Sequence, residues 1–312
     1  MTEIIKDLNR SRQRTRPITG PLFAAPTPFL PAGDIYLSAF CDFLGFLSAR
    51  GVDGLVVNGT TGEFPSLDLD ERRKLYETAR AHFAGVLVNN ISTTNATAAN
   101  ALARDSAGAD ALLILPPYYF AGVSDAGVID FFRQALEGVD TPVFLYNFPR
   151  HVKIVLTPEL VEKIINVCPM IVGVKDSGGD LDAALAFKKL TGVRQVFVGK
   201  DNKALAALDA GLDGSITGAG NPFPEFLIGI RHACGAGDMA LAQRLQQAFD
   251  LWNGFRATLT ADEPALVKAA LARRLPGYPV HVRPPLRALD AQENAALDAI
   301  LQRLRDTGHL IP

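Results

Sequence analysis

Ile171-Val172-Gly173-Val174-Lys175-Asp176-Ser177-Gly178-Gly179 is an apolar run that ends on one lysine and then two glycines. The run shows no polar alternation, so it reads as a strand covered on both faces, as parallel strands are. The glycines mark the loop that follows. Lys175 therefore stands where a buried strand gives way to a loop. Such a lysine is either a solvated strand cap or an amine held in a pocket, because lysine is rarely buried without a partner.

The same unit recurs along the chain. Short apolar strands are predicted at 21–26, 54–57, 86–88, 110–115, 143–146, within 171–179, at 195–198 and at 214–217. Helical periodicity fills the intervals at 37–50, 68–83, 95–107, 124–137, 157–167, 181–190, 203–210 and 224–233. Strand–helix alternation predicts a parallel α/β fold, and eight repeats predict a closed (β/α)8 TIM barrel. An open doubly wound sheet would want a glycine-rich turn after the first strand. Thr27-Pro28-Phe29-Leu30 stands there instead. Strand signals stop after residue 236, and three helices follow at 239–255, 263–274 and 292–306. The expected organisation is an N-terminal extension over 1–18, a barrel over 19–236 and a C-terminal helical extension over 237–312 packed on the barrel.

Bulk properties exclude several classes. Hydrophobic residues at 48% and charged residues at 21% describe an ordinary globular chain. A net charge of -2 gives no global pull toward nucleic acid or anionic lipid. No apolar run has the roughly 18 residues of a membrane helix. Cys41, Cys168 and Cys234 are odd in number, scattered and in no metal spacing, which points to a reducing cytoplasm. Arg10, Arg12, Arg14 and Arg16 precede no apolar segment, so the N-terminus does not read as a secretory signal.

Barrel enzymes carry their chemistry at the C-terminal ends of strands and on the loops beyond. That rule selects Asn58-Gly59-Thr60-Thr61-Gly62-Glu63, Tyr118-Tyr119, Tyr146-Asn147, Lys175, Gly199-Lys200-Asp201 and Thr217-Gly218-Ala219-Gly220-Asn221. Gly59-Thr60-Thr61-Gly62 is either a plain turn or a nest of amide and hydroxyl donors suited to a carboxylate. Tyr146 is either core or a phenol facing the same mouth as Lys175, where it could relay protons. A buried lysine loses its proton more readily than an exposed one. Unprotonated, it can attack a carbonyl and form an imine, an electron sink that lets a neighbouring bond break. The five histidines (His82, His151, His232, His281, His309) show no ligand spacing, so no metal is expected.

Gly59-Thr60-Thr61-Gly62-Glu63, Pro117-Tyr118-Tyr119, Leu145-Tyr146-Asn147-Phe148-Pro149, Gly173-Val174-Lys175-Asp176 and Gly214-Ser215-Ile216 together resemble the dihydrodipicolinate synthase/N-acetylneuraminate lyase family of Schiff-base aldolases. The resemblance spans residues 20–312. It implies a covalent imine between Lys175 and pyruvate or another 2-keto acid, with no cofactor and no metal. It implies that Tyr146 is the general acid/base. Thr60 and Tyr119 would complete a proton relay, with Tyr119 reaching across a subunit interface. Thr60 and Thr61, with Gly59, would hold the keto acid's carboxylate, and the backbones of Gly199 and Ile216 would line the site. The assembly implied is a homotetramer, a dimer of dimers.

The synthase branch carries an arginine five residues after its catalytic tyrosine, followed by a small residue and a glycine. Here that position holds His151, with Arg150 before it and Val152-Lys153 after it. Tyr146-Asn147-Phe148-Pro149, Leu156-Thr157-Pro158-Glu159-Leu160-Val161 and His281-Val282-Arg283-Pro284-Pro285 look instead like the 2-keto-3-deoxy sugar-acid aldolases. Those keep a threonine–glycine pair where Val152-Lys153 stands. The reading is reversible cleavage of a 2-keto-3-deoxy acid to pyruvate and an aldehyde, and the basic segment Arg150, His151 and Lys153 is either a solvated loop or a grip on an acidic or phosphorylated aldehyde part. The alternatives are condensation of pyruvate with aspartate semialdehyde, dehydration of a keto-deoxy acid, and a keto-acid sensor without turnover.

Overall fold

A computed structural model describes residues 18–120, 122–259 and 261–310. The arginine-rich stretch and the expected extension over 1–18 fall, but for Ile18, outside the described residues. Eight strands run in chain order as β1 (Leu22–Ala24), β2 (Gly54–Val57), β3 (Val86–Asn90), β4 (Ala111–Ile114), β5 (Val143–Asn147), β6 (Ile171–Asp176), β7 (Gln195–Val198) and β8 (Ile216–Thr217). All pairings are parallel, and each strand lies beside its sequence neighbour, with β8 returning to β1. The ring closes through a parallel bridge between Val198 and Ser215, with the Val198 amide donating to the Gly214 carbonyl at 3.0 Å. The (β/α)8 barrel predicted from the strand–helix alternation is the fold observed.

Local chemistry accounts for the boundaries. Asp68 caps the helix Leu69–His82 in a reciprocal capping box with Glu71. Asn95, Ser124 and Thr157 cap the helices Ala96–Arg104, Asp125–Ala135 and Pro158–Val167 in the same position. Each of these four helices thus begins one residue after its predicted start, because the first predicted residue is the cap. β3 runs two residues past the predicted 86–88. Asn89 and Asn90 are polar and still buried because their side chains are paired: Asn58 Nδ2 donates to Asn89 Oδ1 at 2.8 Å, and Asn90 Nδ2 donates to the Asn58 carbonyl at 2.6 Å. β8 is shorter than 214–217, since Gly214 takes φ +108 as the chain turns past Gly20. The short helix Pro149–Val152 and the 3-10 turns Phe64–Ser66 and Asp201–Lys203 were not predicted. Three or four residues are too few to show a period.

The helices Met239–Thr258, Glu263–Ala272 and Ala291–Asp306 share a core with the barrel. Phe23 of β1 and Leu55 of β2 belong to the same buried cluster as Phe226, Phe249, Trp252, Leu266 and Leu301. Trp252 is fully buried and donates its indole N–H to the Ala219 carbonyl at 2.9 Å. That bond ties the C-terminal segment to the loop after β8. Among the described residues, no helix is long and apolar enough to cross a membrane.

Candidate active site

β5 and β6 run side by side in register, with Tyr146 opposite Lys175 and Asn147 opposite Asp176. The pleat sends successive side chains to opposite faces, so the two pairs fall on different sides of the sheet. Tyr146 and Lys175 form one pair: Lys175 Nζ lies 4.1 Å from the centre of the Tyr146 ring. Both are buried, Lys175 being only 6% exposed. Lys175 is thus no solvated strand cap, and the aromatic face lends it electrostatic support. The other pair locks the strand ends. Asn147 Nδ2 donates to Asp176 Oδ1 at 2.6 Å, Asn147 Oδ1 accepts from the Leu156 amide at 3.1 Å, and the Ser177 amide donates to the Asn147 carbonyl at 2.8 Å. Burial pushes the Asp176 carboxyl up, against the pull of the Asn147 hydrogen bond.

The turn after β2 is built by its own backbone. Gly62 and Glu63 donate to the carbonyls of Gly59 and Thr60 at 3.0 Å each, and Thr27 Oγ1 donates to the Gly62 carbonyl at 2.7 Å. None of the hydrogen bonds described for this turn uses the Thr60 or Thr61 amide, so these two donors are uncommitted. Thr61 is buried and Thr60 half-buried. A Cβ on Gly218 would collide with Thr61 Oγ1, so the loop after β8 must carry a glycine there. Gly199 is explained likewise, since a Cβ would overlap Ser177 Oγ beside β6. Ile216 is buried on β8, opposite Leu22.

The remaining predicted residues lie on the rim or beyond it. Tyr119 is 86% exposed at φ +82, edge-on to Phe120 at 5.4 Å. Arg150 and His151 are exposed on the short helix Pro149–Val152. The His151 ring stacks on Phe148 at 4.0 Å, and Phe148 stacks on Tyr146 at 5.4 Å. Three rings thus link the rim to the buried phenol. Although the side chain is exposed, desolvation where the ring lies against Phe148 and the nearby Arg150 charge hold the His151 imidazole below its usual range.

Three further charged residues crowd the mouth. Asp201 is buried after β7, and Arg256 from the C-terminal extension approaches its Oδ2 at 3.6 Å. Arg256 also pairs with Glu263 at 2.5 Å. Burial pushes the Asp201 carboxyl up to about 6, opposed by Arg256, by a Thr217 hydrogen bond and by the charge of Lys175. Its Oδ1 has no hydrogen-bond partner among the described residues. Asp201 satisfies the strand-end rule. Arg256 and Glu263 follow the last strand, where that rule does not look. Among the described residues no group of three His, Cys, Asp or Glu could hold a metal ion.

The family model described as the dihydrodipicolinate synthetase family matches residues 17–304. The chain belongs to this family. Its members are class I lyases that work through a lysine imine without a metal, and the chain is an enzyme of that class. It is 36% identical over 213 residues, 68% of each chain, to a 2-dehydro-3-deoxy-D-gluconate/2-dehydro-3-deoxy-phosphogluconate aldolase of Thermoproteus tenax. It is 36% identical over 288 residues, 90% of this chain and 92% of the other, to a 4-hydroxy-tetrahydrodipicolinate synthase of Corynebacterium aurimucosum. Among solved structures it resembles YagE, an E. coli K12 prophage protein of the dihydrodipicolinic acid synthase family, in complex with pyruvate. There the TM-score is 0.85 at 30% identity, covering 93% of this chain and 99% of the other.

Proposed function

We propose that the protein cleaves a 2-keto-3-deoxy acid reversibly into pyruvate and an aldehyde, with Lys175 as the imine-forming amine. The observation that carries this reading is the register pair Tyr146–Lys175, buried at the strand ends with Nζ 4.1 Å from the ring. The Lys175 amine adds to the C2 carbonyl, and loss of water gives a protonated imine. The carboxylate at C1 sits on the Thr60 and Thr61 amides. Tyr146 removes the proton from the C4 hydroxyl, the C3–C4 bond breaks, and its electrons enter the imine. The aldehyde leaves, C3 of the enamine is protonated, and water releases pyruvate from Lys175. Thr60 and a neighbouring subunit's copy of Tyr119 relay the proton outward. That role needs the homotetramer, and the exposed Tyr119 side chain supports it. Gly199 and Ile216 line the mouth through their backbones. Arg150 and His151 meet the far end of the substrate. We place the enzyme in the cytoplasm.

His151 at the fifth position after Tyr146 favours the aldolase over the synthase, and the Thermoproteus tenax relative supports it. The synthase reading has support of its own. Arg150 is exposed on the same turn, and the Corynebacterium relative aligns over nearly the whole chain. A substrate panel separates them: pyruvate release from keto-deoxy sugar acids, sialic acid and hydroxyoxoglutarate, beside condensation with aspartate semialdehyde. Activity in the condensation alone would overturn the aldolase reading. Borohydride with pyruvate should leave a reduced adduct on Lys175, and Lys175→Met should leave none. An adduct formed equally by that variant would remove Lys175 from the chemistry.

A further inference from the structure

Glu63 closes the Gly59–Glu63 turn, yet its carboxylate belongs to the C-terminal extension. Glu63 Oε1 accepts from Lys268 Nζ at 2.5 Å, and Oε2 accepts from the Arg283 amide at 3.1 Å. Lys268 lies on the helix Glu263–Ala272 and also donates to the His281 carbonyl at 2.7 Å. Its ammonium sits 4.3 Å from the centre of the Phe29 ring. Both side chains of the pair are 0% exposed. The Arg283 guanidinium adds a second tie, to both Glu71 oxygens at 2.5 and 2.8 Å and to the Gly33 and Ser66 carbonyls at 2.7 and 2.6 Å. So the turn after β2 is flanked by two charged ties to residues more than two hundred positions away.

A buried ion pair recovers little more than its desolvation cost, so stability alone is a weak reason for one. What it does strongly is penalise displacement, since separating the partners leaves a bare charge in an apolar site. The residue it fixes here is under backbone constraint. Glu63 adopts φ +58, a left-handed conformation that side-chain-bearing residues rarely take. In that conformation its amide reaches the Thr60 carbonyl at 3.0 Å, closing the turn that leaves the Thr60 and Thr61 amides uncommitted.

We propose that Lys268 is a positioning residue for keto-acid binding: through Glu63 it holds the Thr60 and Thr61 donors where the substrate carboxylate docks. This inference rests on the Schiff-base reading above. Lys268 touches no substrate. Its loss loosens carboxylate binding and leaves the reacting amine in place.

The test is borohydride trapping across a range of pyruvate concentrations, read by intact mass on the full-length chain. Two numbers are taken: the half-saturating pyruvate concentration and the maximal adduct yield. In Lys268→Met the half-saturating concentration should rise about tenfold or more, as loss of orientation commonly costs, while the maximal yield stays near wild type. A merely structural role would do the reverse, lowering the yield through unfolded molecules without moving half-saturation. Arg273→Met, which breaks ties to Asp298 and Asn294 on the same extension, is the control for that case. If Lys268→Met does not fold, Glu63→Gln/Lys268→Met replaces the pair by neutral groups of similar volume and is read by the same two numbers. Wild-type half-saturation in either folded variant overturns the proposal. Absence of any adduct in the wild-type protein overturns the Schiff-base reading, and this inference with it.

Discussion

The two sides of the barrel mouth are held by different means. On the β5–β6 side the proposed reactive pair is fixed by its neighbours in the sheet, since Tyr146 and Lys175 are opposed by register and clipped one residue further on by Asn147 and Asp176. On the β2 side the donors lie in a turn whose last residue is gripped by a lysine 205 positions away. Strand pairing sets geometry through the hydrogen-bond lattice of the sheet itself. A turn has no such lattice, and here a buried lysine and an arginine replace it. The first side is expected to govern the chemical step and the second the binding of the keto acid.

The largest effect should come from the phenol itself. Tyr146→Phe should lower kcat for pyruvate release by 10²-fold or more, the usual loss when a general acid/base is removed, while pyruvate trapping on Lys175 persists. Equal turnover in variant and wild type would take Tyr146 out of the mechanism. One step smaller is the clip beneath it. Asn147→Ala strips the buried Asp176 of its side-chain partner and should cost about 2–3 kcal/mol in urea unfolding. The freed strand ends should also lower kcat more than they raise KM. If Asn147→Ala and Lys268→Met moved the same kinetic parameter, the contrast between the two sides would collapse.

The same contrast governs how much could be read from the sequence. Lys175 and Tyr146 each end a short apolar strand, so counting strands places them at one rim without any contact information. Thr60 and Thr61 stand in a Gly–Thr–Thr–Gly turn that announces itself by composition. The strand-end rule also reached Asp201, but nothing nearby in sequence discloses its burial or its approach to Arg256. Lys268 leaves one trace, a lone lysine in the otherwise apolar run Ala265-Leu266-Val267-Lys268-Ala269-Ala270-Leu271. Its partner was beyond reach, because ion pairing across 205 positions depends on how the extension docks. The loop at 149–153 was legible as a departure from the synthase pattern, while the stack of His151 and Phe148 on Tyr146 was not.

Asp201 lies near the β5–β6 side, with Lys175 as one neighbouring charge and Arg256 of the C-terminal extension as another, and it supplies a pH test. Burial holds its carboxyl up at about 6 in the folded protein, against an ordinary aspartate value of 3.8. The folded protein therefore holds this proton through a window in which the unfolded chain has released it. Stability from this group is complete below about pH 4 and is lost as pH rises through 6. Asp201→Asn removes the titration, so the variant should gain on wild type between pH 4 and 7. The gain is bounded by about 3 kcal/mol, the equivalent of two pKa units. Urea midpoints of both proteins at several pH values read it out. A difference between them that is independent of pH would show that Asp201 does not titrate in this window.

The smallest effect belongs to the loop that separates the aldolase and synthase readings. Lys153 ends the short helix at φ +62, the left-handed position that glycine occupies without strain. A side chain there costs roughly 1 kcal/mol. Lys153→Gly should return most of it as a higher urea midpoint, and removing one cation beside Arg150 and His151 should weaken binding of anionic aldehydes more than neutral ones. Stability and selectivity would then move in opposite directions at a single position. A gain in stability with no change in the ratio of phosphorylated to unphosphorylated substrate use would leave Lys153 a helix cap alone, and would confine recognition of the distal group to Arg150 and His151.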